Sequence, residues 1–389
     1  MTNLERSMKL LQITPEPPSL LSGGGIVIKQ TLLSLVENNY SVDYIGPEIA
    51  DESLAELYET TYYLKSSNNI LLRIFDTLFM NTNRRYRSWL KLRIDFSAYD
   101  AIIMDFTKLH YVIKRIGNTP LFVRVHNVEF DYSKNNYNHH RNLFNFIDAC
   151  FSKPRERIVV NRANHLIALT EKDKKRLCQL YHIPSEKITV IPVCIPQKKT
   201  YLASWDTQNH VPHPLRMLIT GSLWYGSNFE GILWFIKNVY NHLSIPKELC
   251  IAGAHPNPEF LDFVKKTPSI TIVDTPKNMD PYFNNAELYI APIFDGAGMK
   301  VKVAEALSYA LPVVGTSHAF EGYAIQNGSN SYIVDTIETF ERSILDYYYL
   351  DEKQRYNMRL SSLQLFQSHY SLRRSTELFK KLIGGVLKT

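Results

Sequence analysis

Cysteine is scarce in this chain of 389 residues. There are four, Cys150, Cys178, Cys194 and Cys250, with no CxxC spacing among them. That excludes a sequence-evident zinc cluster and a disulfide framework, and it suits a reducing compartment. No apolar run approaches the roughly 18–20 residues that a membrane span needs. The short patch Leu10-Leu11-Gln12-Ile13 is cut off by Thr14-Pro15, which makes it a first strand and not a signal peptide. Asp-x-Asp occurs nowhere. A carboxylate pair that could hold a cation against a phosphate is therefore missing, and no metal site is expected. No repeat of roughly 20–50 residues and no low-complexity tract is visible.

What is present is ordinary globular usage, 45% apolar and 21% charged. At roughly 150 residues per domain, two or three domains are expected. A core of that size needs no disulfide or metal to hold it. Lys and Arg number 44 against 38 Asp and Glu, a net charge of +6. Such a surplus permits nucleic acid, a phosphorylated ligand or an anionic membrane surface. The basic residues form no nucleic-acid motif, so that partner is not expected.

Short β-branched runs alternate with longer stretches that can be helical. In the first half strands are expected near Lys9–Ile13, Ser41–Ile45, Ala101–Met104, Leu121–Val125, His165–Leu169 and Lys187–Ile191. In the second half they fall near Arg216–Thr220, Leu249–Ala252, Ile270–Val273, Leu288–Ala291, Pro312–Val314 and Tyr332–Val334. Most are continuous apolar runs, as in strands buried on both faces. Strand, helix, strand in steady order means parallel sheets with helices on both sides. Between the two sets lies Pro196 to Pro214, polar and aperiodic, with three prolines and two histidines. It reads as a linker. The expected division is an N-terminal domain over 1–197, a linker over 198–214 and a C-terminal domain over 215–389. The last helix is able to pack back on the N-terminal domain. Ligands of such sheets bind beyond the carboxyl ends of the strands.

The most informative segment runs from Ala291 to Leu307. A strand ends at Ala291, a glycine-containing turn follows, and a helix is expected from near Met299. The unpaired N–H groups of that helix start favour an anion. Lys300 and Lys302 fall in its first turn, where a cation is unfavourable unless an anionic ligand reverses the sign. The plain alternative is two solvated lysines, with Lys302 pairing Glu305 at i,i+3 for about 0.2–0.5 kcal/mol. Glu305 tips the balance. It sits among Ala304, Ala306 and Leu307, about 10 Å beyond Gly298, and a carboxylate in such company wants a hydrogen-bonding partner. Vicinal ribose hydroxyls, one nucleotide-length from a bound diphosphate, fit.

Gly296–Glu305, followed by Ala306-Leu307-Ser308-Tyr309-Ala310-Leu311-Pro312-Val313-Val314-Gly315-Thr316, resembles the donor-site signature of the group 1 (family four, retaining) GT-B glycosyltransferases. Ala168-Leu169-Thr170-Glu171-Lys172-Asp173 and Lys187–Pro192 resemble the end of their N-terminal domain. Thr220-Gly221-Ser222-Leu223 resembles the turn that opens their C-terminal domain, and His126-Asn127-Val128-Glu129 resembles their histidine motif. The resemblance implies an α/β, GT-B fold, with two doubly wound Rossmann-like domains facing across a cleft. It implies a glycosyltransferase that moves a sugar from a nucleotide-diphosphate sugar to a glycan or lipid-linked acceptor, without a cofactor. The setting it suggests is bacterial surface polysaccharide, capsule or lipopolysaccharide, in the cytoplasm at the inner face of the cytoplasmic membrane.

In that frame His126, Lys300 and Glu305 carry the catalytic roles. Glu305 holds the ribose. Lys300, with the amides of Gly298 and Met299, faces the diphosphate, and Lys302 shares the load. Thr275 and Lys277 meet the base. Gly221, Ser222, Asn228, Asp295 and Gly296 complete the donor side. His126 gives a hydrogen bond to the donor sugar and is not a general base. Gly23, Gly24 and Gly25 form a loop bordering the acceptor and the donor phosphate. A dinucleotide fingerprint would need those glycines directly after the strand, and Gly23 comes ten residues after Ile13. Two positions depart from the family pattern. Ala297 stands where many members carry a glutamate on the donor sugar, so Asp295 or backbone amides take that place. No cation occurs in Leu223–Glu230, where many members have an Arg/Lys pair. The rival readings are a degenerate sugar-nucleotide-binding subunit and an epimerase or hydrolase on the same fold.

Residues Asn69 to Asp95 suggest a peripheral membrane contact. Leu71, Leu72, Phe75, Leu78 and Phe79 fall at helical spacing, followed by Arg84, Arg85, Tyr86, Arg87, Trp89, Lys91 and Arg93. Tyr86 and Trp89 suit a headgroup boundary. The alternative is a helix pair packed on the sheet.

Overall fold

The structure is a computed structural model that describes residues 7–19, 22–66, 85–200, 214–224, 226–267, 269–296 and 298–387. The chain forms two compact units. One holds the residues up to Val193 together with those from Ser375 onward, and the other runs from Cys194 to Arg374. Residues 194–200 thus group with the second unit. Most of the expected linker, 201–213, lies outside the described residues.

The first unit contains a seven-stranded, all-parallel sheet in the order β3-β2-β1-β4-β5-β6-β7. Its strands are β1 (Lys9–Ile13), β2 (Ser41–Gly46), β3 (Thr61–Tyr63), β4 (Ala101–Asp105), β5 (Leu121–Val125), β6 (His165–Ala168) and β7 (Ile188–Val190). The continuous apolar runs serve both faces, because successive side chains of a strand point to opposite sides. Ile102, Met104, Val123 and Val125 go to one core, while Ala101, Ile103 and Phe122 go to the other. The helix Leu372–Val386 sends Phe379, Leu382 and Ile383 into the second of these cores. Its Ser375 hydroxyl lies 2.9 Å from the Gln30 amide and 2.8 Å from the Ser34 hydroxyl. The chain's last helix is thus built into the unit that its first strand begins.

The second unit has a six-stranded parallel sheet in the order β10-β9-β8-β11-β12-β13. These are β8 (Leu215–Thr220), β9 (Lys247–Gly253), β10 (Ile270–Asp274), β11 (Leu288–Ala291), β12 (Val313–Gly315) and β13 (Tyr332–Ile333). Counted within its own unit, each sheet runs 3-2-1-4-5-6, the doubly wound order, with a seventh strand added at the end of the first. The strand order reverses between β1 and β4 in one unit and between β8 and β11 in the other. Such switch points open a crevice at the carboxyl ends of the strands. All twelve expected strands are present. The thirteenth, β3, is a three-residue edge strand too short to show a pattern.

The proposed membrane face meets a correction. Residues 67–84, which carry most of its apolar positions and Arg84, lie outside the described residues. Trp89 is 1% exposed, packed on Phe96 and Tyr111 with the Arg115 guanidinium over its ring. It serves the core and not a headgroup boundary. No described helix is long and apolar enough to cross a membrane.

Candidate active site

At the switch point of the second unit β8 is followed by Gly221, whose φ is +137°. A Cβ there would stand 2.6 Å from Asn228 Nδ2 and 2.8 Å from Lys302 Nζ. Two side chains therefore close over a bare backbone. Asn228 Nδ2 donates to the Ser222 carbonyl at 2.9 Å, and Asn228 Oδ1 accepts from the Lys302 ammonium. The Ser222 hydroxyl is buried without a partner among the described residues. Next door, Thr275 follows β10 with φ +45°, and its N–H donates to the Gly253 carbonyl at 2.8 Å. Lys277 is exposed.

The loop after β11 is braced from several sides. Lys300 Nζ donates to the carbonyls of Gly296 (2.6 Å) and Gly298 (2.7 Å). The His318 ring lies 2.7 Å from the same Gly296 carbonyl, and Asp295 accepts from the Gly296 N–H at 2.7 Å. The buried Met299 side chain anchors the loop below. The helix that follows is Val301–Ser308. It begins two residues later than its sequence suggests, so Lys300 is the N-cap and Lys302 falls in the first turn. The Tyr323 hydroxyl bridges the Lys300 carbonyl (2.9 Å) and the Ala304 N–H (3.2 Å), which fixes the helix start. Val303, Ala304, Ala306 and Leu307 face the core, leaving Lys302 and Glu305 half-buried on the other side.

In the first unit the switch point carries a different set. His126 follows β5 and is 4% exposed. Its Nε2 lies 2.9 Å from Asp105 Oδ1, and its ring stacks on Phe106 at 3.8 Å. Phe106 has φ +67°, a strained value for a bulky residue. Asp105 also accepts from Gln12 Nε2 at 2.8 Å, and Gln12 accepts from the Tyr58 hydroxyl at 2.8 Å. Gly23, Gly24 and Gly25 are not a loop. They form the first turn of the helix Gly23–Glu37, where Ser22 accepts the Gly25 N–H at 2.9 Å. A Cβ at Gly24 would meet a Glu16 carboxylate oxygen at 2.7 Å and Phe106 at 3.0 Å, so any larger residue there must push those two side-chain ends aside.

A family model for glycosyl transferases group 1 matches residues 214–348, and one for glycosyltransferase family 4 matches residues 21–198. The chain belongs to the group 1 glycosyltransferases. A Klebsiella pneumoniae relative, described as an uncharacterized 44.6 kDa protein in cps region, is 23% identical over 366 residues, 87% of this chain and 90% of its own. A Rickettsia africae glycosyltransferase superposes with a TM-score of 0.67 at 14% identity, over 99% of this chain and all of its own. Anabaena HepE, solved in complex with UDP, gives 0.64 at 14% identity, over 97% of this chain and all of its own. The fold is GT-B.

The electrostatics of this glycosyltransferase are uneven across the two units. Burial pushes the Lys302 ammonium down to about 8; Glu305 opposes that shift and Lys300 adds to it. Burial also raises Glu305, against the pull of Lys198 and Lys302. The plain alternative, a Lys302–Glu305 ion pair, is not formed. Lys302 goes to Asn228, and the Glu305 carboxylate has no hydrogen-bond or ion-pair partner among the described residues. A half-buried carboxylate and a depressed lysine, one helical turn apart, are poised to receive a ligand with hydroxyls at one end and negative charge at the other.

Burial lowers the His126 imidazole while Asp105 opposes. Asp105 as a carboxylate can only accept, so Nε2 carries the proton and Nδ1 is left as an acceptor. That Nδ1 has no partner among the described residues. Several residues at these two sites were not singled out from sequence. Asp105 had a signal, since it closes an apolar run at a strand's carboxyl end as His126 does. Glu16, Phe106, His318 and Tyr323 had none, because their contacts are set by distant parts of the chain.

Proposed function

We propose that this glycosyltransferase takes a nucleotide-diphosphate sugar in its second unit and transfers the sugar, with retention, to a glycan or lipid-linked acceptor in surface polysaccharide assembly. The observation that carries the reading is Lys302 held over Gly221 by Asn228, with the partnerless Glu305 one turn further on. Glu305 holds the ribose hydroxyls. Lys302, Lys300 and the N–H groups around Gly298 and Met299 neutralise the diphosphate. The Ser222 hydroxyl, Asp295 and Gly296 line the same ligand, and Thr275 and Lys277 reach toward its base. His126 accepts a sugar hydroxyl through Nδ1. The UDP bound by HepE and the cps-region setting of the Klebsiella relative support the donor class and the product class. With a lipid-linked acceptor, the protein works in contact with an anionic membrane surface.

The ribose contact is a binding effect. Glu305→Ala should weaken free nucleoside diphosphate, and not merely the sugar moiety. A charge-assisted hydrogen bond contributes roughly 1.5–3 kcal/mol, or about 10- to 100-fold in Kd. Calorimetry with UDP and the other nucleoside diphosphates reads this directly, and equal affinity for wild type and variant would remove the donor assignment.

Charge neutralisation by lysines and main-chain N–H groups needs no divalent cation. Saturating EDTA should therefore leave the transfer rate unchanged. Full inhibition that magnesium or manganese restores would contradict this mechanism.

A further inference from the structure

The first unit carries a helical hairpin that the glycosyltransferase reading does not use. The helices Glu129–His139 and Leu143–Arg162 pack against each other. Their root is locked. Glu156, 1% exposed, accepts the N–H groups of Glu129 (3.0 Å) and Phe130 (3.1 Å) and the hydroxyls of Thr107 (3.0 Å) and Tyr181 (2.6 Å). Beyond the root no described segment covers the hairpin. From Lys134 to Phe151 every residue is half-buried or exposed.

The tip is nonetheless ordered. Asn142 caps the second helix by accepting the Asn145 N–H at 2.9 Å, and Asn145 Nδ2 donates to the His140 carbonyl at 2.8 Å. On this fixed turn sit Leu143, 69% exposed, Phe144, 52%, and Phe146, 48%. Three large apolar side chains held in water by a capped helix are an unpartnered surface.

Charge says what covers it. Between Lys134 and Arg157 there are five cations and two anions; Lys134, Arg141, Lys153 and Arg157 are exposed, while Arg155 is buried. Both anions are engaged inside the hairpin. Asp148 pairs with Arg155 at 2.8 Å and accepts from Ser133 at 2.7 Å, and Glu156 is buried. His139 and His140 stand at the turn itself. The tip is thus apolar at its end and basic along its sides. Two half-exposed phenylalanines and one leucine offer about 300 Å². A second copy of the chain would need about 800 Å² per partner. A bilayer needs no such area, since apolar tips enter the acyl boundary while cations stay among the headgroups.

We infer that the 139–146 turn is a membrane-docking tip, with Leu143, Phe144 and Phe146 entering an anionic leaflet and Arg141 and Lys134 held at its headgroups. The inference rests on the membrane contact proposed above and assigns it to a surface.

The test is co-sedimentation of the full chain with phosphatidylglycerol/phosphatidylcholine vesicles and with pure phosphatidylcholine vesicles. Three proteins are compared: wild type, Leu143→Ser/Phe144→Ser, and Lys134→Ser/Arg141→Ser. Wild type should partition at least tenfold more strongly onto the anionic vesicles. The apolar variant should lose tenfold or more on them. The charge variant should lose the preference for them. All three should melt at the same temperature and bind UDP with the same Kd, because these side chains support neither the core nor the donor site. Wild type that ignores both vesicles overturns the membrane contact and the tip together. Wild type that binds while the apolar variant binds equally well overturns the tip alone. A wild-type dimer that Leu143→Ser/Phe144→Ser dissociates would assign the surface to self-association instead.

Discussion

Lys302→Met is expected to lower kcat about 100-fold or more without lowering the melting temperature. Removing one preorganised group that stabilises developing charge typically costs this much. Lys302 is preorganised in that sense, since Asn228 fixes its ammonium beside Gly221 before any ligand arrives. The stability half of the prediction follows from the sign of the shift. The Lys302 pKa lies near 8 in the fold, against about 10.4 in an unfolded chain. The unfolded chain therefore binds more protons between those values, and this group's contribution to stability rises with pH across that window. Below pH 8 the charged amine is a burden to the empty protein, and methionine relieves it. Ligand binding reverses the preference, because a diphosphate wants the charged form. Wild-type affinity for UDP should thus fall as pH rises from 7 to 9, and the fall should be flatter in Lys302→Met. Steady-state kinetics, thermal unfolding and calorimetry at three pH values check these outcomes. A variant with normal turnover would mean that the diphosphate is neutralised elsewhere.

Gly253→Ala should be the most disruptive one-methyl change at the proposed donor site. The new Cβ would stand 1.7 Å from the Gly221 carbonyl oxygen and 3.0 Å from Leu223. A side-chain end could swing aside, but here the obstacle is the main chain of the loop that Lys302 and Asn228 close over. Overpacking typically costs about 1–3 kcal/mol and more where backbone must shift. At the upper end, about 3 kcal/mol, the second unit should melt ~6–12 °C lower. UDP affinity should fall with it, since the relief must come from moving Gly221. The control is Gly385→Ala in the last helix, where an added Cβ meets nothing within 4 Å. That change should be neutral or stabilise by roughly 0.5–1 kcal/mol. Equal melting temperatures for Gly253→Ala and wild type would show that the two loops do not touch as described.

Much of this protein is local in origin and was legible for that reason. A continuous apolar run such as Ala101–Met104 needs no partner to announce a strand buried on both faces, because alternate side chains must go to opposite cores. Twelve runs of that kind, in order with helical stretches, determine two doubly wound sheets. The order of glycines, lysines and Glu305 after β11 is local too, and with the other motifs it determined the family. Other features depend on residues brought together from far apart. The three-residue edge strand β3 exists through its pairing with β2. The glycines at 23–25 read as a loop, yet they begin a helix because Ser22 caps it, its hydroxyl accepting the Gly25 N–H. Lys300 and Lys302 look alike in sequence, two residues apart. Folding makes one a brace for its own loop and hands the other to Asn228, 74 positions away. His126 was legible as a histidine at a strand end, but its tautomer was settled by Asp105 on the neighbouring strand. Periodicity and turn chemistry belong to neighbours in the chain, and so sequence determined the fold and singled out the segment after β11 as the candidate donor site. Protonation, pairing and burial are contacts between distant segments, and only the tertiary structure decided those.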